Sequence, residues 1–287
     1  MDSIKQSGEK WFSELSTMWP GQALSLQVKE ILYEAKSEFQ HLCVFESVSM
    51  GRVLTLDGVI QVTDHDEFAY QEMITHLPLC GKVGELKKVC IIGGGDGGVV
   101  REILRHPSIE EVHLCEIDQA VIDTAKKFFP RIACQLENPK LKIHLMDGAQ
   151  FLREHKNEFD VVIVDSSDPV GPAESLFQAD FYQDAHDALR ENGVMCTHAE
   201  SIWLHLNLIV DMSQFISKMF AKCEYAYTLI PTYPSGMIGF FLCSKNAQGC
   251  KTVQRTPAVE ELRYYTPEMH AASFVLPKFA AEKINTN

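Results

Sequence analysis

An apolar run, Lys88-Val89-Cys90-Ile91-Ile92, leads without a break into Gly93-Gly94-Gly95-Asp96-Gly97-Gly98, five glycines interrupted by one carboxylate. No other stretch restricts the fold as tightly. A strand ending in such a loop turns sharply and brings backbone close to a ligand, because residues without a Cβ accept angles and approaches closed to others. The residues that follow, Val99-Val100-Arg101-Glu102-Ile103-Leu104-Arg105, read as a helix whose N-terminus faces whatever the loop holds. Gly93, Gly95 and Gly98 satisfy the G-x-G-x-x-G spacing of dinucleotide sites, although a tight structural turn satisfies it as well. Asp96 argues against a pyrophosphate, since two like unit charges a few ångströms apart repel by about 4 kcal/mol at an effective dielectric of about 20. The loop suits a sulfonium nucleoside with a cationic amine at that end better than NAD.

A chain of 287 residues holds one large α/β domain and a smaller module. Its formal net charge of −13 argues against nucleic acid or an anionic membrane as the main partner. The same charge accords with a polycationic substrate, although many cytosolic enzymes are simply acidic. The nine cysteines are odd in number, contain no C-x-x-C pair, and in cases such as Cys90 sit inside apolar runs. They read as reduced core residues rather than a disulfide frame or a zinc site. None of the eleven histidines stands in a ligand spacing such as H-E-x-x-H, so no metal is expected. No apolar run approaches the length of a membrane span, and residues 1–10 are polar, so the expectation is a soluble, cytoplasmic protein.

Ahead of the glycine loop, Trp11, Phe12, Trp19 and Pro20 make the first twenty or so residues too aromatic for a disordered tail, and these side chains are expected to pack. Leu24, Leu26 and Val28 then alternate with polar residues, and 44–48 offers a short strand. Within 52–62, Asp57-Gly58 joins two apolar runs as the two-residue turn of a hairpin. Residues 66–77 read as a helix with acids in its first turn, stopped by Pro78, and 80–87 as a connection. The expected division is an N-terminal antiparallel β domain over 1–82, with its aromatic leading segment, and an α/β domain over 83–287. Past the loop, strands at 112–115, 141–146, 159–164 and 193–197 alternate with helices at 119–129, 177–190 and 203–220. Two closing strands follow, near 225–230 and 236–243. This is the grammar of a doubly wound parallel sheet.

Ligands of such sheets sit outside the carboxyl ends of the strands, and four successive strands here end in or beside an acid: Asp96, Glu116, Asp147 and Asp165. Glu116 stands about twenty residues past the loop, where an acid takes ribose hydroxyls. Asp147-Gly148-Ala149 offers a side-chain acceptor and backbone donors to a purine edge. Either acid would also serve as a helix N-cap after its strand, a role that favours Asp over Glu. The longest irregular stretch, from Asp165 through Ser166, Asp168, Pro169, Gly171 and Pro172 to Ser175, is expected to be a lid or binding loop. Asp165 and Asp168 at its start suit one amine, while Asp168 alone is also explained by an Asx-turn ahead of Pro169.

In combination, Gly93-Gly94-Gly95-Asp96-Gly97-Gly98, Cys115-Glu116-Ile117-Asp118, Asp165-Ser166-Ser167-Asp168-Pro169 and Ile230-Pro231-Thr232-Tyr233-Pro234-Ser235-Gly236 resemble the polyamine aminopropyltransferases, of the eukaryotic spermidine synthase type. The likeness runs from Trp11 to Pro277 and includes Trp19-Pro20-Gly21-Gln22 and Tyr70-Gln71-Glu72-Met73. It implies a Rossmann-like methyltransferase fold with a small N-terminal antiparallel β domain, and a homodimer or homotetramer. It also implies decarboxylated S-adenosylmethionine as aminopropyl donor, used as a co-substrate with no cofactor, and putrescine as acceptor. On this chain the family pattern gives Gln40, Gln71, Gly93, Gly95, Asp96, Glu116, Asp147, Gly148, Ala149, Asp165 and Pro172 to the donor. It gives Trp19, Gln61, Tyr70, Asp165, Asp168, Glu200 and Tyr233 to putrescine, with Trp19 as an apolar wall and Glu200 near the far amine. The catalytic residues it implies are Asp165, Tyr70 and Asp168. His198 stands where relatives usually carry Gln.

The implied reaction is a displacement at the carbon attached to sulfonium, which requires a neutral attacking amine. An alkylammonium titrates at about 10 and has no lone pair, so the site must remove a proton and position the amine. Asp165, bonded by Tyr70 and crowded by other acids, is expected to accept that proton, with its pKa raised by like charge in the direction a base needs. The leaving group departs as a neutral thioether, so no metal is called for. Three other readings share parts of the pattern. An S-adenosylmethionine-dependent putrescine N-methyltransferase shares the fold, but Asp96 favours a donor without a carboxylate. A catalytically idle polyamine-binding protein should lack Asp165 or Tyr70. A dehydrogenase is disfavoured by the acid in the loop.

Overall fold

In the computed structural model, which describes residues 9–166, 176, 178–259 and 261–284, the chain opens with an antiparallel meander. Its strands are β1 (Lys10–Glu14), β2 (Leu24–Lys36), β3 (His41–Ser47), β4 (Arg52–Leu56) and β5 (Val59–Thr63), paired in that order. Asp57 and Gly58 both take positive φ, 49° and 83°, as a tight turn between β4 and β5 demands. β1 was not anticipated as a strand; it places Phe12 in a ring contact with Phe45 at 5.2 Å. The sheet is apolar on both faces. Phe12, Leu26, Cys43, Phe45, Val53 and Ile60 cluster on one, while Val44, Leu54 and Val62 pack on Phe129 and Ile132 of the following domain on the other.

The second sheet contains β6 (Lys88–Gly93), β7 (Glu111–Glu116), β8 (Leu141–Leu145), β9 (Phe159–Asp165), β10 (Leu189–His198), β11 (Lys222–Leu229) and β12 (Met237–Ser244). Its order is β11-β12-β10-β9-β6-β7-β8. β6 to β10 run parallel, and β12 lies antiparallel to both β10 and β11. From β6 the chain steps outward to β7 and β8, then returns to β9 on β6's other side. At that reversal the strand ends part and leave a crevice, with Gly93 and Asp165 as register partners.

The helices are α1 (Glu67–Gly81), α2 (Gly98–Ile103), α3 (Gln119–Phe128), α4 (Gly148–Glu154), α5 (Ala179–Ala188), α6 (Leu206–Ile216), α7 (Pro267–Ser273) and α8 (Lys278–Ile284). Successive residues of the central strands feed opposite cores. Val89, Ile91, Val161 and Ile163 pack with Met73 and Leu77 of α1, while Cys90, Ile92, Val162 and Val164 pack with Phe151, Phe181 and Tyr182. Burial on both faces is why these strands are apolar throughout rather than alternating.

Some elements differ from the sequence reading. α1 continues through Pro78 to Gly81 instead of stopping before it. In the last turn the proline forfeits little, because its own carbonyl still accepts from the Lys82 N–H at 3.0 Å, and Leu79 and Cys80 gain full burial. α5 and α6 are shorter than expected: β10 takes over at Leu189, and the turn before Leu206 belongs to the site described below. α7 and α8 were not anticipated; α7 starts on the Thr266 side chain, which accepts from the Met269 N–H at 3.1 Å ahead of Pro267. Residues 167–175, holding most of the expected lid with Asp168 and Pro172, lie outside the described residues. Among the described residues no helix is long and apolar enough to cross a membrane.

Candidate active site

The crevice at the reversal is lined from both sheets, by Trp19, Gln40 and Gln61 on one side and by the strand-end acids on the other. The glycine loop is shaped for close approach. Gly93, Gly94 and Gly97 have φ of 80°, 71° and 84°, and a Cβ on Gly93 would lie 2.1 Å from the Asp165 carbonyl oxygen. Asp96 is held by the start of α2: its Oδ1 accepts from the Gly98 N–H at 2.7 Å and its Oδ2 from Gln71 Nε2 at 3.2 Å. Gln71 Oε1 accepts from Arg101 at 3.0 Å, and Arg101 also pairs with Glu67 at 2.8 Å and Glu102 at 2.7 Å. This charged network behind the loop carries no sequence signal, since Glu67 reads there only as an acid at a helix start.

Glu116, at the end of β7, accepts from the Gly95 N–H at 3.1 Å and the Asp118 N–H at 2.9 Å. It is not the cap of α3. That role falls to Asp118, whose Oδ1 accepts from the Ala120 N–H at 3.0 Å while its Oδ2 accepts from Gln40 Nε2 at 3.0 Å and Ser37 Oγ at 2.7 Å. Asp147 does cap its helix, accepting from the Gln150 N–H at 2.8 Å, and it lines the crevice as well. Gly148 fits because a Cβ there would meet Ile92 Cγ2 at 2.3 Å; Ala149 sits in the core beneath.

Asp165 ends β9 with its Oδ1 accepting from the Tyr70 hydroxyl at 2.7 Å. Burial, and then the Asp96 charge, pushes its carboxyl up to about 7, with the Tyr70 bond pulling the other way. Burial likewise pushes Asp96 up to about 6, against the pull of the Gly98 N–H, and Glu116 up to about 7, against the N–H groups of Asp118 and Gly95. Burial holds the Tyr70 hydroxyl well above its ordinary value, so it stays a donor. Three carboxyls with raised proton affinity therefore face one cavity, an arrangement that gains from a cationic ligand.

Away from the loop, Tyr70 touches the Tyr233 ring at 5.6 Å, and the Tyr233 hydroxyl donates to the Gln61 carbonyl at 3.1 Å. The segment carrying Tyr233 is tied down by Asp66, a buried carboxylate that the sequence reading treated only as a helix-start acid. Its Oδ2 accepts from the Thr232 N–H at 3.0 Å and hydroxyl at 2.7 Å, and its Oδ1 from Thr63 Oγ1 at 2.7 Å. Trp19, Glu200 and His198 are buried and line the same crevice. Burial lowers the His198 pKa, leaving a neutral imidazole. The structure thus brings together Trp19, Gln40, Gln61, Tyr70, Gln71, Gly93, Gly95, Asp96, Glu116, Asp147, Gly148, Asp165, Glu200 and Tyr233 around one cavity.

Residues 67–254 match the family model described as spermine/spermidine synthase domain, and residues 10–64 match the spermidine synthase tetramerisation domain. A Dictyostelium discoideum protein named spermidine synthase is 49% identical over 287 residues, covering 99% of this chain and 100% of that protein. Spermidine synthase 2 of Hyoscyamus niger is 50% identical over 293 residues, with 96% of this chain and 94% of the relative covered. Among solved structures, a spermidine synthase in complex with the transition-state analogue AdoDATO superposes with a TM-score of 0.90 at 36% identity, covering 96% of this chain and 95% of the other. The Thermotoga maritima spermidine synthase superposes at 0.89 with 36% identity and coverage of 96% and 94%. By its two family domains, its full-length relatives and its fold, the chain belongs to the spermidine/spermine synthase family.

Proposed function

We propose that the chain catalyses the spermidine synthase reaction, transferring the aminopropyl group of decarboxylated S-adenosylmethionine to putrescine and releasing spermidine and 5'-methylthioadenosine. The observation that carries this reading is the Tyr70–Asp165 pair, set at the strand reversal with Asp96 close enough to raise its pKa. The donor lies with its ribose at Glu116 and its adenine toward Asp147 and Gly148. Gln40 and Gln71 hold it from the side, and its aminopropyl end faces Asp96 and Asp165. Asp96 then pairs with the donor's amine and opposes a donor that still carries a carboxylate there.

Putrescine enters between Trp19, Gln61 and Tyr233 and presents one amine to Asp165, with Asp168 as a second carboxylate for that amine and Pro172 contributing to the donor side. Asp165 takes one proton from the ammonium, and Tyr70 holds the carboxylate in the orientation that receives it. The freed lone pair attacks the carbon beside sulfur as the carbon–sulfur bond breaks. The electron pair stays on sulfur, and the thioether leaves neutral, so the step proceeds without a metal or cofactor. The match of residues 10–64 to a tetramerisation domain supports self-association, as a homodimer or homotetramer, and we place the protein in the cytoplasm.

The test is an assay of the purified protein with decarboxylated and ordinary S-adenosylmethionine against 1,3-diaminopropane, putrescine, cadaverine and spermidine. Spermidine formation from the decarboxylated donor and putrescine is the expected outcome. Methylated diamine from ordinary S-adenosylmethionine, or no turnover with any pair, would overturn the assignment.

A further inference from the structure

Glu200 follows the end of β10 with φ of 56°, and the residue is 5% exposed at the cavity wall. Its Oε2 lies at ion-pair distance, 3.0 Å, from His205 Nδ1, a contact without hydrogen-bond geometry, and Oε1 has no hydrogen-bond partner among the described residues. The other ring nitrogen of His205, Nε2, is 2.7 Å from the carbonyl oxygen of Met18, next to Trp19. A carbonyl oxygen only accepts, so Nε2 carries the hydrogen shared with Met18, and Nδ1 is left facing the Glu200 carboxyl at ion-pair distance. The other titratable groups placed to feel this pair are His198, itself neutral through burial, and Tyr225, whose hydroxyl donates to the Glu200 backbone carbonyl at 2.8 Å.

Resting on the reading of the cavity as a diamine site, we infer that His205 is the positioning residue for the far end of the acceptor, fixing Glu200 with one ring nitrogen and the Trp19 segment with the other. The ring occupies Oε2 of Glu200 and leaves Oε1 for the distal ammonium. Its bond to Met18 fixes the Trp19 wall relative to that carboxylate. The distance between anchor and wall thereby selects an α,ω-diammonium chain of one length. Neither function is contained in the local sequence, because Met18 and His205 are 187 residues apart.

Two substitutions separate the two contacts. His205→Gln places an amide N–H near the position of Nε2 and keeps the Met18 contact, while His205→Asn places one near Nδ1 and keeps the Glu200 contact. For His205→Gln the putrescine KM should rise about tenfold or more, as for loss of a hydrogen bond to a charged group, with kcat within about threefold of the wild type. Butylamine, which has no distal ammonium, should show unchanged kinetic constants. His205→Asn should keep the putrescine KM within about threefold while its preference for putrescine over cadaverine narrows by a similar factor. Parallel losses for putrescine and butylamine, or no change in either variant, would overturn the inference. Calorimetric titration of putrescine into wild type and His205→Gln reads the same difference without turnover. A wild type that binds putrescine in a His205-dependent way yet forms no spermidine would overturn the proposed reaction and leave the distal anchor standing.

Discussion

The phenolic hydroxyl of Tyr70, in the first turn and a half of α1, donates to Oδ1 of Asp165 at the end of β9 across 2.7 Å. The bond stabilises the charged carboxylate and partly offsets the effects of burial and of Asp96, so Asp165 sits near neutrality rather than above it.

Removing that bond should move a pH profile in a fixed direction. A base must be deprotonated to act, so the acid limb of kcat/KM reports Asp165 and lies around pH 7 in the free enzyme. In Tyr70→Phe the carboxylate loses a donor, its proton affinity rises, and the limb should shift to higher pH with the plateau at high pH retained in part. An unshifted limb, or one shifted to lower pH, would separate Tyr70 from the control of Asp165.

Asp165→Asn preserves shape and can still accept from Tyr70, yet lacks basicity. Turnover should fall by roughly 10²–10⁴-fold, the range for loss of a general base, with donor affinity much less affected. If the amine instead arrives neutral from solution, raising the pH should largely restore the variant. A pH–rate profile of Asp165→Asn distinguishes the two, and near-wild-type turnover at pH 7 would remove Asp165 from the mechanism.

The same carboxyl is expected to show its cost in stability. Asp165 binds its proton more tightly folded than unfolded, where it titrates near 3.8. The stability this contributes is present at pH below the unfolded value and is lost as the pH rises through about 7. Ligand-free Asp165→Asn should therefore melt a few degrees above the wild type at pH 8, with the difference closing toward pH 5. Melting curves at the two pH values are the check, and an equal offset at both would assign it to packing rather than to charge.

What the sequence made legible is local. The strand-to-glycine transition and the acids at Glu116, Asp147 and Asp165 are contiguous patterns, and a parallel sheet places strand ends on one edge whatever the details of packing. The Asp57-Gly58 turn is legible for the same reason, since a two-residue connection demands positive φ from its own residues. Asp66, Asp118 and His205 were not legible. Each joins segments far apart in the chain, Asp66 with Thr232, Asp118 with Gln40, His205 with Met18, and a helix-start acid or a lone histidine looks the same whether or not such a partner exists. Pro78 misled because a proline stops a helix only where the following turn gains nothing by continuing, and here Leu79 and Cys80 are driven into the core.

Donor choice provides a direct test of the glycine loop. Asp96 should pair with the donor's cationic amine and oppose a carboxylate, so the wild type should use the decarboxylated donor far better than S-adenosylmethionine. Asp96→Ile should narrow that ratio, mainly through loss of the preferred donor. Competition between the two donors at equal concentration measures it, and equal use by the wild type would sink the role given to Asp96.

Gly98 tests how the loop and α1 are joined. It is the first residue of α2 and has no positive φ, so Gly98→Ala should on backbone grounds favour the helix by roughly 0.5–1 kcal/mol. Its Cβ, however, would fall 1.9 Å from Cδ of Gln71, and the Gln71 side chain must leave. That costs the bond to Asp96 at 3.2 Å and the one from Arg101 at 3.0 Å, besides the strain of the displacement, about 1–3 kcal/mol. The variant should be less stable than the wild type and bind donor roughly tenfold or more weakly, as loss of a charged hydrogen bond implies. Adding Gln71→Ala removes the obstruction without restoring the contact. The double variant should therefore regain stability relative to Gly98→Ala while its donor affinity stays low. A double-mutant cycle read by both melting and donor titration separates the effects, and independent, additive losses from the two substitutions would show that Gly98 is not required by the position of Gln71.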